Sequence, residues 1–178
     1  VGCHRGHMID PKVTFKDAKT NLARLASATA SSARDTYYFT PWRINDSRLA
    51  DNQGRYAWVS VEESTPWVQL NWQAPVTVDE VVFYPSNLGG SRIDKGTLYF
   101  GDGSSLPVLV PLAGSLPLKF PFPARNISWL RFQIEAGEGT TMGLAEIVVH
   151  GSQQVTLPQL PPNAPRKLKV TQEPLLLT

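Results

Sequence analysis

"PWVQLNWQAPVTVDEVVFY", residues 66 to 84, is the stretch on which the fold turns. In its first part, apolar Val68, Leu70 and Trp72 alternate with polar Gln69 and Asn71. A period of two sends successive side chains to opposite faces, so this is a strand with one face inward and one in water. Trp72 is therefore placed in the core. The second part, Val76 to Tyr84, is rich in Val and ends on two aromatic residues, the composition of another strand.

The same pattern extends on both sides. Tyr56 to Val61, Thr97 to Phe100, Leu106 to Leu112, Ser128 to Ile134 and Leu144 to His150 are short β-type runs separated by Pro, Gly, Asn and Asp. Within Trp129 to Ile134 the inward set is Leu130, Phe132 and Ile134, which leaves Trp129 beside Arg131 and Gln133, facing solvent or covered by a tail. Near the end, Ala145, Ile147 and Val149 share one face, and Glu146, Val148 and His150 the other. Ala18 to Ala30 fits a helix by composition, but Ser27, Thr29, Ser31 and Ser32 fit an extended segment equally. Turn signals recurring at intervals of roughly eight to fifteen residues predict an all-β antiparallel sandwich.

A chain of 178 residues holds one domain with a proper core and some tail. An apolar fraction of 42% and a charged fraction of 18% are those of a globular protein. No apolar run approaches the ~20 residues that a spanning helix needs. The 17 Lys and Arg against 15 Asp and Glu give +2, and they are scattered, so nucleic acid is not an expected partner. Cys3 is alone and closes no intrachain disulfide. The chain begins at Val without a charged-then-apolar leader, which reads as a mature or excised piece. Asn45-Asp46-Ser47 and Asn126-Ile127-Ser128 are glycosylation sequons. Three segments are expected: an irregular arm over 1–20, the sandwich over 21–151, and a Pro-rich linker over 152–178. Within that linker "PNAPRKLKVT" resembles the opening strand of a fibronectin type III module.

An ordered set of pieces carries a family resemblance: "NLARLASATASS" (21–32), "PWRINDS" (41–47), "AWVS" (57–60), "PWVQLNW" (66–72), "VTVDEVVFY" (76–84), "GTLYFGDGS" (96–104), "WLRFQI" (129–134) and "GLAEIVVHG" (143–151). Together they resemble the discoidin-like, or coagulation-factor C-type, domains, which include the family 32 carbohydrate-binding modules. The modules attached to extracellular carbohydrate-active enzymes such as sugar deacetylases are especially similar. The resemblance implies a galactose-binding-like jelly roll. It also implies a structural Ca²⁺ held by Asp46 and Glu146, joining the first long loop to the last strand through hard oxygen donors. Ser47 stands where the family usually has Gly, and Tyr56 where it often has Thr. Taken alone, Asp46 reads as a turn cap and Glu146 as an exposed strand residue.

Sugar sites stack an aromatic face on a pyranose and fix its hydroxyls with Arg, Asn, Asp or His. The candidates are Tyr37, Tyr38 and Trp42, with Phe39 beside them, and Asn87 and Arg92 from "PSNLGGSRID". The competing reading has these rings plugging the end of the sandwich. The galactose-reading Arg of the family falls where this chain has Pro85 and Ser86. Trp58 and Trp67 match positions that brace the sandwich. "CHRGH" lacks a fourth ligand for zinc, "GDGSS" and "NLGGS" are turns, and Glu62 and Glu63 point to opposite faces. The expectation is a non-catalytic, secreted, carbohydrate-binding module that holds a parent enzyme on a polysaccharide or cell-surface glycan. Its partners are that glycan and a neighbouring catalytic domain of the same polypeptide; with no Lys cluster beside the aromatic loop, membrane is not one of them. The alternative is an architectural domain without a ligand, packed against a catalytic neighbour.

Overall fold

The alternation around Trp67 is realised within a longer strand than the sequence suggests. The computed structural model describes residues 20–48, 56–86, 92–110 and 117–151. The expected C-terminal linker, the N-terminal arm apart from Thr20, and Asn87 lie outside these residues. The described strands are β1 (Ser27–Ala30), β2 (Trp58–Val59), β3 (Trp67–Pro85), β4 (Arg92–Phe100), β5 (Ser105–Leu109), β6 (Leu118–Glu138) and β7 (Gly143–His150). Two short 3₁₀ turns, Leu22–Leu25 and Pro41–Asn45, complete the elements. Of Ala18 to Ala30 the described residues form one 3₁₀ turn and β1, and only Trp58–Val59 of the expected run from Tyr56 is strand.

β3 and β6 are long because each serves both layers of the sandwich. The first part of β3 pairs with β1 and with Trp129–Gln133 of β6, which in turn pairs with β4, and β4 with β5. Past a register shift between Asn71 and Val76, β3 continues against β7 on one side and Leu118–Ile127 of β6 on the other, with β2 beyond β7. All these pairings are antiparallel. The layers meet through inward side chains: Phe83 of the second part of β3 lies 4.4 Å from Phe132, ring centre to ring centre. Phe83, Phe100 and Phe132 are fully buried, and burial of each contributes roughly 2 kcal/mol. Trp72 is buried as expected, and its indole N–H donates to Leu22 O at 2.8 Å. Trp58 is also buried, donating to Ser32 O at 2.9 Å. Trp67 stands half-buried beneath Arg131 on the outer face, the face that alternation gives it with Gln69 and Asn71.

Two local features explain where sequence periodicity breaks. The first half of β6 contains Pro121 and Pro123, which lack the N–H that a ladder uses on both sides. Among the described residues this half pairs only with β3, so the missing donors face an unpaired edge. In β7, Tyr84 faces Glu146 while Pro85 faces Leu144, so Ala145 is an extra, bulged residue. Leu144 consequently joins Ile147 and Val149 in the core cluster, where strict alternation predicts Ala145. The bulge lies immediately before Glu146 and turns that side chain onto the loop that follows β1.

Candidate functional site

The loop between β1 and β2 is organised by two polar side chains. Asp35 Oδ1 accepts the backbone N–H groups of Tyr37, Tyr38 and Phe39 at 2.8, 2.6 and 3.1 Å. Desolvation pushes the Asp35 carboxyl upward, but those three donors and nearby Arg34 outweigh it and hold it below its usual range. The chain therefore curls tightly around one carboxylate, and the Tyr37 and Tyr38 rings meet edge to face at 4.7 Å. Pro41 then starts a 3₁₀ turn that carries Trp42 and Arg43.

Arg43 is the second organiser. It is 6% exposed. Its Nη2 donates to Tyr37 O at 3.2 Å and its Nη1 to Asp46 Oδ2 at 3.3 Å. The guanidinium carbon lies 3.9 Å from the Trp42 ring centre and 4.7 Å from that of Tyr56. Nε of Arg43 is buried with no partner among the described residues. Through this one side chain the structure joins Tyr37, Trp42 and Asp46. Tyr37, Tyr38 and Trp42 remain 69%, 40% and 50% exposed, so they do not plug the sandwich.

Asp46 and Glu146 are brought together from distant parts of the chain. Glu146 is completely buried, and both its oxygens accept the Ser47 N–H at 3.2 Å. Desolvation, with repulsion from Asp46 added, pushes its carboxyl up to about 8 despite the Ser47 and Asp46 N–H groups. Asp46 Oδ1 accepts the Arg48 N–H at 3.0 Å, the turn-capping role that its local sequence suggests. Ser47 has φ 71°, the left-handed region that favours Gly, and Arg24 donates to its hydroxyl. Asn45 spends both amide hydrogens on Ala23 O and Ala26 O, at 2.8 and 2.9 Å, so this sequon holds the loop to the first 3₁₀ turn. Two carboxylates are hard donors of the kind Ca²⁺ takes. Among the described residues no group of three or more His, Cys, Asp or Glu could hold a metal, so any further oxygens from those residues would have to be neutral.

Arg92 is engaged elsewhere. It pairs with Asp94 at 2.6 Å and Glu138 at 2.9 Å, where β4 meets the end of β6. Sequence reasoning singled out the rings and the two carboxylates but missed Asp35 and Arg43. An Asp two residues before a Tyr-Tyr-Phe run is a detectable turn signal. Arg43 gave none, because its partners come from three separate positions.

The family described as Domain of unknown function (DUF7402) matches residues 21–150. No curated protein matches the chain by sequence. Solved structures do share its fold. The lectin domain of lectinolysin complexed with Lewis B antigen superposes with a TM-score of 0.64 at 19% identity, covering 75% of this chain and 97% of that one. The family 32 carbohydrate-binding module from Clostridium perfringens NanJ in complex with galactose gives 0.62 at 14% identity, covering 75% and 98%. A fucolectin from striped bass (Morone saxatilis) serum gives 0.67 at 16% identity, covering 76% of this chain and 50% of its own. The architecture is therefore the galactose-binding-like sandwich. No described helix is long and apolar enough to cross a membrane.

Proposed function

Since the chain belongs to the DUF7402 family, whose function is unknown, we propose from its fold and its aromatic loop that it is a carbohydrate-binding module. One observation carries this reading: Tyr37, Tyr38 and Trp42 stay exposed on a loop that Asp35 and Arg43 hold from beneath. Rings held this way lose little further freedom when a sugar stacks on them, so binding keeps more of the contact energy. Solved structures of the same fold hold Lewis B antigen and galactose, which agrees with a glycan ligand. The module works outside the cell, holding a parent enzyme near its polysaccharide and raising the local concentration of substrate. The test is retention on a glycan array and in polysaccharide pull-downs, with wild type and Trp42→Ala compared. Wild type is expected to bind and Trp42→Ala to lose about tenfold or more in affinity. Failure of wild type to bind any glycan sinks the reading.

The reading includes a Ca²⁺ bound between Asp46 and Glu146. When bound, the ion supplies the positive charge that a buried carboxylate beside a second one lacks. The protein's own groups then lock the loop against β7, and the rings keep their placement. Chelation is expected to lower Tm, and Asp46→Ala to abolish that response.

A further inference from the structure

Trp67 and Trp129 are not used by the loop site, and both lie on the outer face of the layer formed by β1, the first part of β3, the second part of β6, β4 and β5. Strand pairing fixes what surrounds them. Gln69 faces Arg131, and Arg131 faces Tyr99; Asn71 faces Trp129, and Trp67 faces Gln133. The inward neighbours Val68, Leu70, Leu130 and Phe132 are buried, so these side chains all point the other way. Arg131 lies with its guanidinium carbon 4.1 Å from the Trp67 ring centre and donates from Nε to Gln69 Oε1 at 2.8 Å. Gln69 in turn donates to Asn71 Oδ1 at 2.5 Å. Among the described residues Arg131 has no ion-pair partner. Tyr99 is 36% exposed, and Trp129 rests on Gly101, where an added Cβ would come 3.2 Å from the indole. The row Trp129, Arg131, Gln133 and Glu135 along β6 spans roughly 20 Å at the rise of an extended strand. Past Gln133 it opens into a cavity of about 240 Å³ lined by Glu63, Pro66, Glu135, Gly137 and Met142 among others.

We propose that this face is a second binding surface, taking an extended segment of a neutral polysaccharide from Trp129 past Arg131 and Tyr99 to the Glu63 and Glu135 cavity. The charge distribution selects that occupant. A polyanion that satisfies Arg131 meets two carboxylates at the cavity, and a polycation drawn to those carboxylates meets Arg131. A hydroxyl-rich neutral chain can accept from Arg131, exchange hydrogen bonds with Gln133 and Asn71, and donate to Glu135. The aromatic edges of Tyr99 and Trp129 offer apolar contact to the sugar rings. The network from Trp67 to Asn71 already orients these groups, which limits the ordering cost on binding. The proposal rests on the carbohydrate-binding reading but places a second site away from the aromatic loop.

The experiment compares wild type, Trp42→Ala and the double variant Tyr99→Ala/Arg131→Ala by affinity electrophoresis. The gels contain a soluble β-glucan, xylan or galactomannan, with polygalacturonate and chitosan as charged counterparts. Thermal melts first establish that each variant folds. The double variant is expected to bind a neutral polymer about tenfold more weakly than wild type, and oligosaccharides of that polymer to move the Trp67 and Trp129 indole N–H signals in NMR. The Trp58 and Trp72 signals, hydrogen-bonded inside, stay fixed. Full retention of the double variant alongside loss in Trp42→Ala overturns the sheet-face site and leaves the loop reading intact. Binding confined to polygalacturonate or chitosan overturns the neutral-chain assignment. Absence of binding to every polymer and to the glycan array overturns both.

Discussion

Two arginines in this molecule lie over tryptophan rings at nearly the same distance, Arg43 on Trp42 at 3.9 Å and Arg131 on Trp67 at 4.1 Å. Their surroundings differ. Arg43 is buried and bonded to Tyr37 O and Asp46, so its charge organises a loop that has no ladder of its own. Arg131 projects from a strand whose backbone is already set by pairing on both sides, so its charge is left to face outward. The same stacked pair is therefore a fastening in one region and a presented group in the other. What separates them is whether the backbone is held by register or by side chains.

Paired substitutions test this separation most strongly. Arg43→Ala leaves Asp46 without its cation and Tyr37 O without its donor, and is expected to cost about 3–5 kcal/mol, lowering Tm by roughly 10 °C. Arg131→Ala is expected to cost less than about 1 kcal/mol. Equal losses in thermal or urea melts would break the distinction.

The next effect concerns pH. The Glu146 carboxyl is pushed from 4.5 to about 8 in the fold. A carboxyl raised in the folded state binds more protons there than when unfolded. Its contribution is thus fully present below the unfolded value and lost as pH rises through the folded one. In chelator, Tm is expected to fall between about pH 5 and about pH 8. Added Ca²⁺, which requires the ionised carboxylate, is expected to raise Tm more at the upper end of that range. A flat profile in chelator contradicts the dry placement of Glu146.

The smallest expected effect is at Ser47, whose φ of 71° is strained for a residue with a Cβ. Ser47→Gly removes that strain and also the hydroxyl that Arg24 bonds, for a net gain of about 0.5–1 kcal/mol. A net loss would show that the loop depends more on Arg24 than on backbone relief.

Much of this was legible in the sequence, and the unread parts have physical reasons. Alternation at Val68, Leu70 and Trp72, and at Leu130, Phe132 and Ile134, placed the core correctly because both segments lie mid-sheet with one face in water. The first half of β6 was not recognised as strand, since Pro121 and Pro123 are breakers unless the neighbouring edge is vacant, and vacancy is a tertiary fact. Ala145 was placed on one face with Ile147 and Val149, whereas Leu144 takes that place in the core cluster, because a bulge changes parity without changing composition. At the site, the resemblance pointed to Asp46 and Glu146, and folding does make them neighbours. Trp67 was assigned to bracing from the family resemblance, while the alternation alone places it with Gln69 and Asn71 on the outer face, where it lies half-buried.

The proline half of β6 also bears on how this unit behaves in company. A bare strand border invites another chain to add itself through main-chain bonds, which is how sheets join into polymers. Among the described residues this half of β6 pairs only with β3, and Pro121 and Pro123 remove donors where such a recruit would dock. This border therefore resists zipping to copies of the chain.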